Sequence, residues 1–215
     1  MKQVLCWDIE TGPLPLADLC AAMPEFEAPR TWKDPVKIAA AIEEKRAEFL
    51  DRAALDATTG RVLAIGVGIA GKFVEIIHGD EAIVLGQWWG YASSVVNQDG
   101  LLAGYCIESF DLPFLLRRSW ILGVEVPSWI RSGRYFDRSF VDIAMIWACG
   151  RREAIQSLDT VARSLGVGRK NGKGADFAAL FANSETRAKA IEYLENDIKL
   201  TIGVAERLGV GKEAA

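Results

Sequence analysis

No run of about 18 apolar residues occurs in this chain, although half of its 215 residues are hydrophobic, so no segment has the length of a membrane span. No charged start followed by a long apolar stretch marks a secretion signal at the N-terminus. The four cysteines, Cys6, Cys20, Cys106 and Cys149, show neither C-x-x-C pairing nor zinc-ligand spacing. They point to free thiols in a reducing compartment, hence to a cytoplasmic protein. The single histidine, His78, ends the β-like run Phe73-Val74-Glu75-Ile76-Ile77 and reads as a strand residue without a catalytic role. Excess positive charge is lacking too: 25 Lys and Arg against 29 Asp and Glu leave a formal charge of −4. That balance argues against a protein that coats nucleic acid non-specifically, but not against an enzyme that grips one strand end through a few phosphate contacts. No composition break suggests a linker, and the length falls within the range of one domain with a proper core.

What is present begins with Val4-Leu5-Cys6-Trp7-Asp8-Ile9-Glu10-Thr11, an apolar run ending in two carboxylates spaced i, i+2. On a strand, that spacing puts Asp8 and Glu10 on one face. Such a pair either marks the wet side of a half-buried strand or, because like charges side by side repel, calls for a cation. Further along, Gly104 to Leu115 follows the apolar Leu101-Leu102-Ala103 and reads as strand, turn and helix start. Asp111 there is either a helix cap or an acid of a site, with Pro113 in the first turn, where proline is tolerated. Near the end, Ile191, Leu194, Ile198 and Ile202 recur at helical spacing and leave Tyr193 and Asp197 one turn apart beside the apolar stripe.

Together, WDIET, GYCIESFDLPFL and YLEND resemble, in order and separation, the three motifs of the DEDD (DnaQ-like) 3′–5′ exonucleases. With Tyr193 four residues before Asp197, and Glu192 rather than histidine five before it, the third motif is similar to the tyrosine branch; the lone histidine leaves no place for the histidine form. The stretch Gln156-Ser157-Leu158-Asp159-Thr160-Val161-Ala162-Arg163-Ser164-Leu165-Gly166 extends the resemblance to proofreading-exonuclease relatives of family B DNA polymerases, especially stand-alone ones. The likeness runs from Gln3 to about Gly209 and is least constrained between Leu14 and Gly60.

The resemblance implies an RNase H-like α/β fold, a mixed five-stranded sheet flanked by helices, as a single exonuclease domain over 1–215. It implies two Mg²⁺ or Mn²⁺ ions held by Asp8, Glu10, Asp111 and Asp197, hard oxygen ligands suited to such cations. The resemblance also implies that Tyr193 orients the attacking water, since a phenol with a reference pKa near 10 is a poor base at neutral pH. Thr11, Leu14, Cys106 and Phe110 fall at positions expected to handle the terminal nucleotide, although relatives usually carry asparagine where this chain has Cys106. The implied substrate is the 3′ end of single-stranded DNA. An exoribonuclease and an inactive nucleic-acid-binding relative are the alternatives. Arg117, Arg118, Arg131, Arg134, Arg138, Arg169, Lys170 and Lys173 are either phosphate contacts or simply solvated charges.

Patterning predicts strands at 3–9, 61–69, 73–78, 101–106 and near 139–146, the first three as an antiparallel meander. Helices are predicted at about 81–96, 111–122, 157–165 and from 176 to 208, giving parallel crossovers. The long interval between the first two strands carries a helical insertion at about 31–57, either a lid beside the site or a decoration. Trp88, Trp89 and Trp147 read as core residues.

Overall fold

The computed structural model describes residues 1–130 and 138–212; Arg131 and Arg134, among the candidate phosphate contacts, lie outside them. The chain forms two compact units, Met1–Glu10 with Val62–Ala215, and Thr11–Arg61. The larger unit is built on a five-stranded sheet of β1 (Val4–Pro13), β2 (Gly60–Ile69), β3 (Phe73–His78), β4 (Leu101–Gly104) and β5 (Phe140–Asp142). Their spatial order is β3-β2-β1-β4-β5. β2 and β3 run antiparallel, whereas β1–β4 and β4–β5 are parallel, with Val4 opposite Leu101 and Gly104 opposite Asp142. The sheet is therefore mixed, as expected. The parallel pairing lays Val4–Cys6 of β1 beside Leu101–Ala103 of β4, so the chain leaves β4 next to the stretch of β1 that carries Asp8 and Glu10.

Helices α3 (Glu81–Val96), α4 (Asp111–Leu122) and α8 (Arg187–Arg207), with the shorter α5 (Ile143–Trp147), α6 (Leu158–Ser164) and α7 (Phe177–Ala182), pack around the sheet. α3 begins at Asp80, whose carboxylate accepts from the backbone N–H groups of Ala82 and Ile83, satisfying donors that a helix start leaves open. α4 ends at Gly123, whose φ of +67° is the left-handed stop that glycine adopts without penalty. Trp7 of β1 and Trp88 of α3 are both fully buried, with rings 4.5 Å apart. Trp89 is buried as well, but Trp147 is only half-buried and donates its indole N–H to Gln156.

The position of α8 follows from two glycines. A Cβ on Gly66 would stand 2.6 Å from Ile198 Cγ1, and one on Gly68 would stand 2.8 Å from Ile198 Cγ2. β2 thus presents bare backbone on which the Ile198 side chain seats, and full burial of such a side chain stabilises by about 2–3 kcal/mol. The contact fixes the helix that carries Asp197.

Two expected strands end early. The run after Ser139 forms strand only to Asp142; residues 143–147 are helix α5, because the Asp142 side chain accepts from the Ala144 N–H and caps a helix there. The fourth strand also stops at Gly104 rather than 106, since the chain turns sharply at Cys106, where φ is +64°.

The smaller unit holds α1 (Leu16–Ala22) and α2 (Pro35–Arg52). Asp34 caps α2 by accepting from the N–H groups of Val36 and Lys37, with Pro35 in the first turn, a favourable start on both counts. The helical insertion is therefore present over most of the expected 31–57, and α1 is an additional helix before it. Phe26 and Phe49 meet edge to face at 6.0 Å and help line an open cleft of about 450 Å³.

Candidate metal centre

Asp8 and Glu10 project from one face of β1, as their i, i+2 spacing requires. Asp197 reaches the same point from the middle of α8. Ligand oxygens of the three all lie within 4.8 Å of one another. Asp8 is half-buried, Glu10 is 8 % exposed and Asp197 is 1 % exposed. Asp111, 5 % exposed at the first position of α4, stands outside that close group; its Oδ1 accepts the Ile9 N–H at 3.3 Å, tying α4 to β1.

Crowding and burial bear on protonation. Burial, then the Asp111, Glu10 and Asp197 charges, hold the Asp8 carboxyl well above the usual carboxylate range. Burial and Asp197 push Glu10 up to about 8. Burial raises Asp111 to about 6 against the opposing pull of backbone N–H donors, and burial also raises Asp197. Like charges gathered out of water behave in this way when no multivalent cation offsets them. One oxygen of Asp197, Oδ1, is buried without a hydrogen-bond partner among the described residues, a costly arrangement unless something else satisfies it. An all-oxygen donor set with an orphaned oxygen fits a hard divalent cation.

Tyr193 lies one turn before Asp197. Burial and the Asp197 and Glu10 carboxylates push its hydroxyl far above the ordinary tyrosine range, so it stays protonated at neutral pH. The loop before α7 packs directly on it: a Cβ on Gly172 would stand 2.7 Å from Tyr193 Cδ2, and one on Gly174 would stand 3.4 Å from the hydroxyl and 3.9 Å from either Glu10 oxygen. Glycines there let backbone close over the tyrosine and the acid together.

Several remaining candidates take different places. Arg118 is 3 % exposed and forms a two-pronged ion pair with Glu81, Nε to Oε1 at 2.8 Å and Nη2 to Oε2 at 2.7 Å. It ties α4 to α3 and is no phosphate contact. Lys170 is bound to Asp197 at 2.6 Å. Arg117, Arg138, Arg169 and Lys173 are exposed. Cys106 is half-buried beside a cavity of about 380 Å³ that Asp8, Lys170 and Asp197 also line, and its thiol is pushed up to about 11 by burial and Asp142. Phe110 precedes α4, its ring 5.4 Å from Phe114. Thr11, in β1, and Leu14, just after it, belong to the smaller unit, where the Leu14 N–H donates to Thr59. All four cysteines are free thiols, and His78 is exposed at the end of β3.

Asp142 is a residue that the motifs did not single out. Its buried carboxylate accepts the N–H groups of Cys106 at 3.0 Å, Glu108 at 3.2 Å and Ala144 at 3.0 Å, and so shapes the turn that delivers Asp111. An aspartate between a short apolar strand and a helical run is a capping signal that a closer reading of Phe140-Val141-Asp142-Ile143 would find.

The mixed sheet with helices around it is an RNase H-like α/β fold. Among solved structures, the chain is similar to that of the family B DNA polymerase from the hyperthermophilic archaeon Pyrobaculum calidifontis, with a TM-score of 0.68 and 19 % sequence identity over 97 % of this chain. It spans about a quarter, 24 %, of the polymerase chain. No protein-family model and no curated protein matches the sequence. Among the described residues, no helix is long and apolar enough to cross a membrane.

Proposed function

We propose that this protein is a metal-dependent 3′–5′ exonuclease of the tyrosine type that removes nucleotides from the 3′ end of single-stranded DNA. The convergence of Asp8, Glu10 and Asp197 within 4.8 Å, from opposite ends of the chain, carries the reading. The order of the three motifs and the likeness in fold to a DNA polymerase support it. Asp8, Glu10 and Asp197, with Asp111 beside them, would hold two Mg²⁺ or Mn²⁺ ions. Bound there, such ions supply the Lewis acidity that activates water and steadies a leaving 3′-oxygen.

The chain's own groups do the rest. Tyr193, protonated and pinned by Gly172 and Gly174, donates a hydrogen bond that orients the attacking water. Asp142 keeps the 104–110 turn in place and with it Asp111. Cys106 and Phe110 serve the terminal nucleotide in this reading, with Lys173 at the phosphates.

The test is degradation of 5′-labelled single-stranded DNA, RNA and duplex with Mg²⁺, Mn²⁺ or EDTA, for the wild type and Asp8→Ala. A ladder shortening by one nucleotide at a time on DNA, absent in EDTA and in the variant, is the expected result. RNA degraded faster than DNA would reassign the substrate. Internal cleavage of a circular strand, or full activity in EDTA, would overturn the proposal.

A further inference from the structure

Lys170 ends the turn after α6 and is held there by more than its own ion pair. Its backbone N–H donates to Asp159 Oδ1 at 2.9 Å, and the carbonyl of the preceding Arg169 accepts from Asn196 Nδ2 at 3.2 Å, on the same helix as Asp197. From this anchored position, Nζ lies 2.6 Å from Asp197 Oδ2 and 5.0 Å from the centre of the Tyr193 ring. Asp197 is 1 % exposed, so the pair is sheltered from the screening that makes surface pairs weak. The positive charge of Lys170 also acts on Asp8 and Glu10, pulling against the rise that burial causes. A lysine fixed at both ends and aimed at the innermost acid is a built feature of the cluster.

We propose that Lys170 is the resident counter-ion of the acid cluster, and that its ammonium, on Asp197 Oδ2, competes with a divalent cation bound at the same carboxylate. This inference rests on the metal-binding reading above. An ammonium and a divalent cation on the two oxygens of one buried carboxylate repel each other, so the lysine and the metal compete for Asp197. Lys170 thereby weakens metal affinity while keeping the metal-free cluster from standing uncompensated, since a buried acid that loses its partner is strongly unfavourable. Removing the lysine has opposite effects on the two states. The metal-free protein loses stability, and metal uptake, which now relieves an unpaired acid, becomes more favourable.

Two kinds of measurement on the full chain test this, the first on the variant and the second on the wild type. Calorimetric titration with Mn²⁺ should show Lys170→Met binding at least about tenfold more tightly than wild type, within the usual range of coupling between sites. Thermal melts should show the variant less stable in EDTA, with a larger gain on adding Mn²⁺. The second measurement uses the wild type alone, so it stands even if the variant folds poorly. Labelling by an amine-reactive ester, read by peptide mass spectrometry, should rise several-fold at Lys170 on Mn²⁺ addition, with exposed Lys37 as the internal standard. If the wild type takes up no Mn²⁺, the metal site and this inference both fail. If it does, but the variant binds no more tightly, or labelling at Lys170 stays flat, the lysine's role is overturned and the metal site stands.

Discussion

Glu10 offers the sharpest check on the electrostatics of the site. In the metal-free protein its carboxyl is pushed from 4.5 up to about 8 by burial and the neighbouring Asp197. Between those two values the folded state keeps a proton that the unfolded chain releases, so stability falls as pH rises, by about 1.4 kcal/mol per pH unit for this group. The contribution is fully present below pH 4.5 and exhausted near pH 8. At pH 7, well inside that window, the loss amounts to roughly 3 kcal/mol. Glutamine has nearly the same shape and cannot ionise. Glu10→Gln in EDTA should therefore be more stable than wild type at pH 7 by up to roughly that amount, the gain shrinking to under about 1 kcal/mol at pH 5. Urea denaturation of both proteins at pH 5, 6 and 7 measures it, with Mn²⁺ restoring wild type and doing little for the variant. Equal stability at pH 7, or a difference that does not grow with pH, would refute the account of a repelling acid cluster.

Two further outcomes follow from the geometry. Tyr193→Phe should slow hydrolysis by about 10²-fold, the scale of a lost positioning contact, while leaving Mn²⁺ affinity in calorimetry nearly unchanged; a collapse of metal binding would make the tyrosine a support for the acids instead. Cys106→Asn should stabilise the protein by about 0.5–1 kcal/mol and raise the melting temperature by about 2 °C, because asparagine tolerates the left-handed backbone better than cysteine does, and a lowered melting temperature would contradict that explanation.

Much of this was legible in the sequence because local rules and global packing agree. The β3, α3 and α4 boundaries follow from alternation, capping and the Gly123 stop, all short-range effects. That Asp8 and Glu10 share a face was readable from a strand's period of two, and that Asp197 lies beside the apolar stripe from the helix turn; that the three meet was implied by the family resemblance alone. The end of the strand that starts at Phe140 was missed, since the apolar residues on either side of Asp142 carry no clear period and the capping signal of Asp142 went unused. The fate of the basic residues was not legible either. Arg117 and Arg118 are adjacent and chemically identical, yet one faces solvent and the other is locked to Glu81, a distinction set by the packing of α3 against α4. Lys170 reaches Asp197 only because a turn held by Asp159 and Asn196 aims it there, and no spacing rule encodes that.

The same geometry shows why the site needs so firm a frame. Asp8 and Glu10 come from the first strand and Asp197 from the last helix, so nothing local holds them together, and their charges drive them apart. The opposing force comes from Ile198, next to Asp197, seated on the bare backbone of Gly66 and Gly68. A side chain at either glycine would lift α8 and let the acids separate, which would relieve the repulsion and dismantle the cluster in one step. Packing of the neighbouring Ile198 on β2 is thus what keeps an unfavourable constellation of charge in place, and the small residues of β2 matter to the cluster as much as the carboxylates do.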